Sequence, residues 1–116
     1  MPRAATTTDV FNAIAEPRRR QIIELLARRG ALAVGALVVA VGLPQPAVSK
    51  HLGVLGEVGV VTVDKNGRQR LYRLNAQELK SVYDWAKSFE HFWSHQLDRI
   101  KQRAEEQART RDDASS

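Results

Sequence analysis

The side chains with most chemistry to offer fall in two short stretches. In QPAVSKHLGVL, residues 45–55, Gln45, Ser49 and Lys50 interrupt an apolar pattern. In DKNGRQR, residues 64–70, Lys65, Arg68 and Arg70 crowd a turn. Amides, hydroxyls and cations of this kind donate to phosphate oxygens and read base edges, so together they make an anion-recognising donor set. A third group, His91, His95 and Asp98, places two imidazoles at i, i+4, where they can share one divalent cation. Two histidines do not complete a tetrahedral site, and the plainer reading is an ordinary surface or interface position. Groups for covalent chemistry are scarce: there is no glycine-rich phosphate loop and no Ser/His/Asp set in a recognisable context. The chain has 0 cysteines, which removes disulfides, thiolate ligands and thiol switches. The sequence therefore predicts no enzyme and no cofactor.

These residues need elements to hold them. Thr6, Thr7, Thr8 and Asp9 offer helix caps before VFNAIAE, where Val10, Phe11 and Ile14 form an apolar stripe. Pro17 suits the first turn of a second helix, PRRRQIIELLARRG, whose Ile22, Ile23, Leu25, Leu26 and Ala27 face a core and whose end falls at Gly30. Arg18, Arg19 and Arg20 sit at that helix's positive end, against the macrodipole, which predicts partners elsewhere in the fold or a phosphate. Residues 34–41 carry no charge and read as a short buried helix closed by Gly42 and Pro44. Residues 45–57 form the next helix. Val48, Leu52 and Leu55 recur at i, i+4, i+7 and anchor it, leaving Gln45, Ser49 and Lys50 on the opposite face. VVTVDKNGRQRLYRL reads as a hairpin turning through Asn66-Gly67. From Ala76 to about Ala108 the steps of three and four among Leu79, Val82, Ala86, Phe89, Trp93 and Ile100 predict one long helix of roughly 50 Å. Two short helices about a Gly/Pro turn, followed by a hairpin, make a winged helix-turn-helix: mainly α with a small β-hairpin.

Bulk properties agree. A chain of 116 residues has room for one domain, assigned to 1–108, with 109–116 a polar, disordered tail. Its formal net charge of +5 is uneven: residues 1–30 carry +3, 45–74 carry +3, and 75–116 carry −1. An anionic partner, double-stranded DNA above all, suits the first two-thirds. No apolar run is long enough for a membrane span and the first residues lack a signal-peptide core, so the expected compartment is the cytoplasm.

FNAIAEPRRRQIIELL, LAVGAL, QPAVSKHLGVLGEVGVV and NGRQRLYRL, in that order, resemble the ArsR/SmtB family of winged helix-turn-helix repressors over residues 9–100. The resemblance implies a homodimer built from the first and last helices, for which Phe11, Val82, Phe89, Trp93, Leu97 and Ile100 are the candidate contacts. It also implies repression at an inverted-repeat operator near or within the protein's own operon. On the recognition helix it points to Gln45, Ala47, Ser49, Lys50 and His51 as DNA-facing, and on the wing to Arg68 and Arg70. One departure is informative: Ala33 and Gly35 stand where many relatives carry metal-binding thiols. The chain thus resembles the branch without that site, with Phe92, Trp93, Leu97, Asp98 and Ile100 in an aromatic last helix. Two other functions stay open at this point: a repressor responding to metal through His91, His95 and Asp98, and a protein-interaction module that binds no DNA. The effector is unassigned.

Overall fold

A computed structural model describes residues 9–115, with side chains placed through residue 110. The order of elements is α1 (Val10–Ile14), α2 (Pro17–Arg29), α3 (Val34–Val41), α4 (Gln45–Glu57), β1 (Val61–Asn66), β2 (Gln69–Leu74), a 3₁₀ turn (Ala76–Leu79), α5 (Lys80–Lys87) and α6 (Glu90–Ser115). The chain divides into two compact units, one ending at Val82 and the other beginning at Tyr83. The expected helix-turn-helix and wing are both present, all within the first.

Local chemistry accounts for the short helices. Asp9 caps α1, its carboxylate accepting from the Asn12 N–H at 2.8 Å; the threonines at 6–8 lie outside the described residues. Pro17 opens α2, and Gly30 closes it at φ +80°, a conformation open to glycine at little cost. Gly42 ends α3 in the left-handed region at φ +75°. The core of this unit is apolar throughout: Ala13, Ile22, Leu25, Leu26, Leu37, Val41, Val48, Leu52, Leu55, Val60 and Val61. Each such Val, Leu or Ile stabilises the fold by roughly 1.5–3 kcal/mol through burial.

In α1 Ala13 is buried and Val10 and Ile14 are half-buried, while Phe11, a candidate dimer contact, is 41% exposed in the single chain. Two packing expectations are corrected. α3 buries Leu37 and Val41 but leaves Val39 83% exposed, so it is uncharged without being buried all round. Ala27 is exposed and Ile23 half-buried, narrowing the inward stripe of α2 to Ile22, Leu25 and Leu26.

The three arginines at the start of α2 find partners in helix ends. Arg18 Nη1 donates to the Val41 carbonyl at 3.0 Å, Arg19 Nε to the Ala13 carbonyl, and Arg20 Nη1 to Ile14 and Ala15 at 2.8 and 3.1 Å. Carbonyls at a helix C-terminus lack intrahelical donors and carry partial negative charge. The cations sit badly for their own helix and well for α1 and α3. Arg18→Ala is expected to lower stability by about 1–2 kcal/mol in denaturant unfolding, by removing the bond to the corner between α3 and α4.

β1 and β2 pair antiparallel from Val61↔Leu74 to Asn66↔Gln69, so Gly67 and Arg68 are the two central turn residues, with Gly67 at φ +64°. The hairpin is pinned to the α2–α3 loop by reciprocal bonds between Leu32 and Tyr72, 2.9 and 2.8 Å.

The expected single helix from Ala76 to about Ala108 is three elements. Asn75 spends its side-chain amide on the Gly59 carbonyl at 3.1 Å instead of capping a helix, and the chain enters through a 3₁₀ turn. At Ser88 the hydroxyl donates to the Trp85 carbonyl at 2.6 Å. That carbonyl is the acceptor that Phe89 N–H would use in a continuous helix; Phe89 N–H instead bonds Ala86 at 3.1 Å, and α5 ends. α6 then runs to Ser115, through the stretch after 108. Among the described residues, no helix is long and apolar enough to cross a membrane.

Candidate nucleic-acid interface

α4 is fixed through Val48, Leu52 and Leu55, all buried, so its opposite face is defined by geometry. Lys50 is exposed there, Gln45 and Ser49 are exposed on the flank toward the hairpin, and Ala47 is half-buried. No side chain caps the amino end of α4, which begins at Pro44 and Gln45 and carries the positive end of the helix dipole.

His51 points elsewhere. Its Nε2 faces Glu16 Oε2 at 3.4 Å, in the corner between α1 and α2, and its side chain is 17% exposed. Glu16 also caps α2, its Oε1 accepting from the Arg18 N–H at 3.0 Å. That bond holds the Glu16 carboxyl below the usual carboxylate range; desolvation opposes it, and the charges of His51, Arg19 and Arg18 add to it. A carboxyl with a lowered folded-state pKa stabilises the fold fully above its unfolded pKa, and this is lost as pH falls through the folded value. Glu16→Gln is therefore expected to lower Tm at neutral pH. The gap from wild type should close as melts are repeated downward through the carboxylate range.

The wing sorts its charges by face. Lys65 and Arg70 are directly opposite in the register, on the same face as Val63 and Tyr72. On the other face Asp64 and Arg73 neutralise each other at 2.7 Å. Like charges placed opposite are unfavourable unless an anion lies between them. Lys50, Lys65, Arg68 and Arg70 are all exposed, and none makes an ion pair among the described residues.

Between α4 and the hairpin lie two open cavities of about 400 Å³ each. Ser49, Arg70 and Tyr72 line both; Gln45, Arg68 and Gln69 join one, and Gly53, Gly56 and Val63 the other. Gln45, Ser49, Arg68 and Arg70 are thus brought around one groove, while Lys50 and Ala47 stand outside its lining. Sequence reasoning missed Tyr72, Gly53 and Gly56. Their signal was available: Ser49, Gly53 and Gly56 repeat the i, i+4, i+7 pattern of the anchor, one residue on.

His91, His95 and Asp98 are exposed, with the His91 ring against Phe92 at 3.9 Å between centroids. Among the described residues no three of His, Cys, Asp and Glu gather closely enough to hold a metal ion. The last helices expose Tyr83, Trp85, Phe89, Phe92, Trp93, Leu97 and Ile100. Val82 is half-buried.

Known proteins resemble this chain in sequence and fold. The model of the arsR family of bacterial regulatory proteins matches residues 16–63, from the Glu16 cap through α4 into β1. The transcriptional repressor SdpR of Bacillus subtilis is 31% identical over 81 residues, 70% of this chain and 89% of SdpR. A crystal structure of a possible transcriptional regulator for arsenical resistance is 39% identical at TM-score 0.61, with 77% of this chain and 88% of that one covered. The solution structure of a homodimeric winged helix-turn-helix DNA-binding domain from Mycobacterium bovis, a possible ArsR-family regulator, is 31% identical at TM-score 0.57, with 74% and 81% covered. Alike in sequence to these regulators and built on a helix-turn-helix and wing, the chain belongs to the arsR family of bacterial regulatory proteins.

Proposed function

We propose that the protein binds duplex DNA as a symmetric homodimer and represses transcription from an inverted-repeat operator, in or near its own operon. The observation that carries this reading is the pairing of α4 with the wing. A helix clamped by Val48, Leu52 and Leu55 presents Gln45 and Ser49 toward the wing's Arg68 and Arg70, with Lys50 and Lys65 exposed on the same two elements. Helix residues of this kind reach base edges in the major groove while wing cations meet the backbone. The homodimeric Mycobacterium bovis domain and the repressor SdpR support the assembly and the direction of control. The exposed aromatic row of the last helices supports a second copy as its cover.

The test is an unbiased selection of duplexes bound by the purified protein, with and without divalent metal. The expected product is an inverted repeat with half-site centres one or two helical turns apart, about 10 or 20 base pairs. Affinity should fall steeply with salt as counterions are released. Enrichment of no sequence, with no protection of duplex near the protein's own operon, overturns the proposal. Zinc-dependent release that is lost with His91→Ala and His95→Ala would replace it with the metal-responsive alternative.

A further inference from the structure

Gly53 and Gly56 stand inside a 13-residue helix, where glycine is the costliest choice after proline. Nothing among the described residues demands them. Neither has the positive φ that Gly30, Gly42, Gly59 and Gly67 adopt. A Cβ at 53 would meet nothing within 4 Å, and one at 56 only the Val61 carbonyl at 3.9 Å, an ordinary contact. Both glycines form one wall of the groove between α4 and the hairpin, with Ser49; the facing wall is Val63, Arg70 and Tyr72. Val63 is 45% exposed there, an apolar surface beside Arg70, and among the described residues no acidic one lines either cavity.

We propose that Gly53 and Gly56 are clearance positions, through which one sugar-phosphate strand of the DNA duplex seats between α4 and the wing. This rests on the DNA-binding reading above. With α4 in a major groove and the wing tip at the neighbouring minor groove, the strand dividing those grooves must cross between the two elements. The groove matches that occupant: Arg70 and Arg68 line it for phosphate, and the exposed Val63 for the apolar edges of deoxyribose. Two glycines remove the side chains that would stand in its path, and close approach of a backbone to a ligand is a recurring use of glycine.

The experiment uses the full chain and the duplex that wild-type protein selects. Gly53→Ala and Gly56→Ala are expected to raise Tm by roughly 2–6 °C each, by helix propensity alone. Each should also weaken binding of that duplex about tenfold, and Gly53→Leu should weaken it further. A more stable protein that binds worse separates clearance from folding damage. Undiminished binding by both alanine variants overturns the inference and leaves the DNA reading intact. Tighter binding by Gly53→Lys also overturns it, since position 53 would then merely lack a cation. Failure of wild-type protein to bind any duplex removes the reading and the inference together.

Discussion

Lys50→Ala combined with Arg68→Ala is expected to weaken operator binding by about 10²–10⁴-fold, from roughly 1–3 kcal/mol at each contact. The reasoning is electrostatic and geometric. Lys50 leaves the outer face of α4 and Arg68 occupies the hairpin turn, two places far apart in sequence that serve no core. Both side chains are exposed and make no ion pair among the described residues, so their removal leaves the fold's own bonds untouched. If each meets a phosphate, the slope of log affinity against log salt should fall by about 2. Fluorescence anisotropy across a salt series measures both quantities, and thermal melts check that Tm is unchanged. Affinity within about threefold of wild type, with an unaltered slope, would instead favour the protein-interaction module.

Phe89→Glu with Trp93→Glu is expected to convert a dimer to a monomer and to reduce operator affinity by about 10²–10⁴-fold without altering α4 or the wing. The two rings are 42% and 39% exposed in the single chain, so charge at these positions does not enter a core. Trp85 and Phe89 meet edge to face, ring centroids 5.3 Å apart, and Phe89 and Phe92 tilt together at 6.3 Å. These rings stiffen one another while leaving much of their area in water. A second copy that covers them gains roughly 25 cal/mol for each Å² of apolar surface removed from water. A monomer reading one half-site loses the high local concentration that a tethered partner supplies at the other. Sedimentation equilibrium decides the matter: wild type sedimenting as a monomer, or the double variant remaining dimeric, refutes the interface.

The recognition helix was legible in the sequence because its signal is periodic and local. Val48, Leu52 and Leu55 recur at the helical interval, so the buried face, and with it the outward side of Ser49 and Lys50, follows from 3.6 residues per turn. Pro17, Gly30 and Gly42 mark helix ends for equally local reasons, a fixed φ or a permitted positive one. The hairpin announced itself through Asn66-Gly67, although the register moved the turn's centre one residue on, to Gly67 and Arg68.

What tertiary structure decided was the destination of polar side chains. His51 sits among candidate DNA contacts in sequence, yet its Nε2 faces Glu16, 35 positions earlier, because the α1–α2 corner packs under that side of α4. Arg18, Arg19 and Arg20 looked misplaced on their own helix until the carbonyl ends of α1 and α3 were brought beside them. The break at Ser88 turns on one hydroxyl taking one carbonyl, a competition that periodicity of apolar residues does not register. Periodic burial is written in neighbours a few residues apart, whereas hydrogen bonds and ion pairs join groups that only the folded chain makes adjacent.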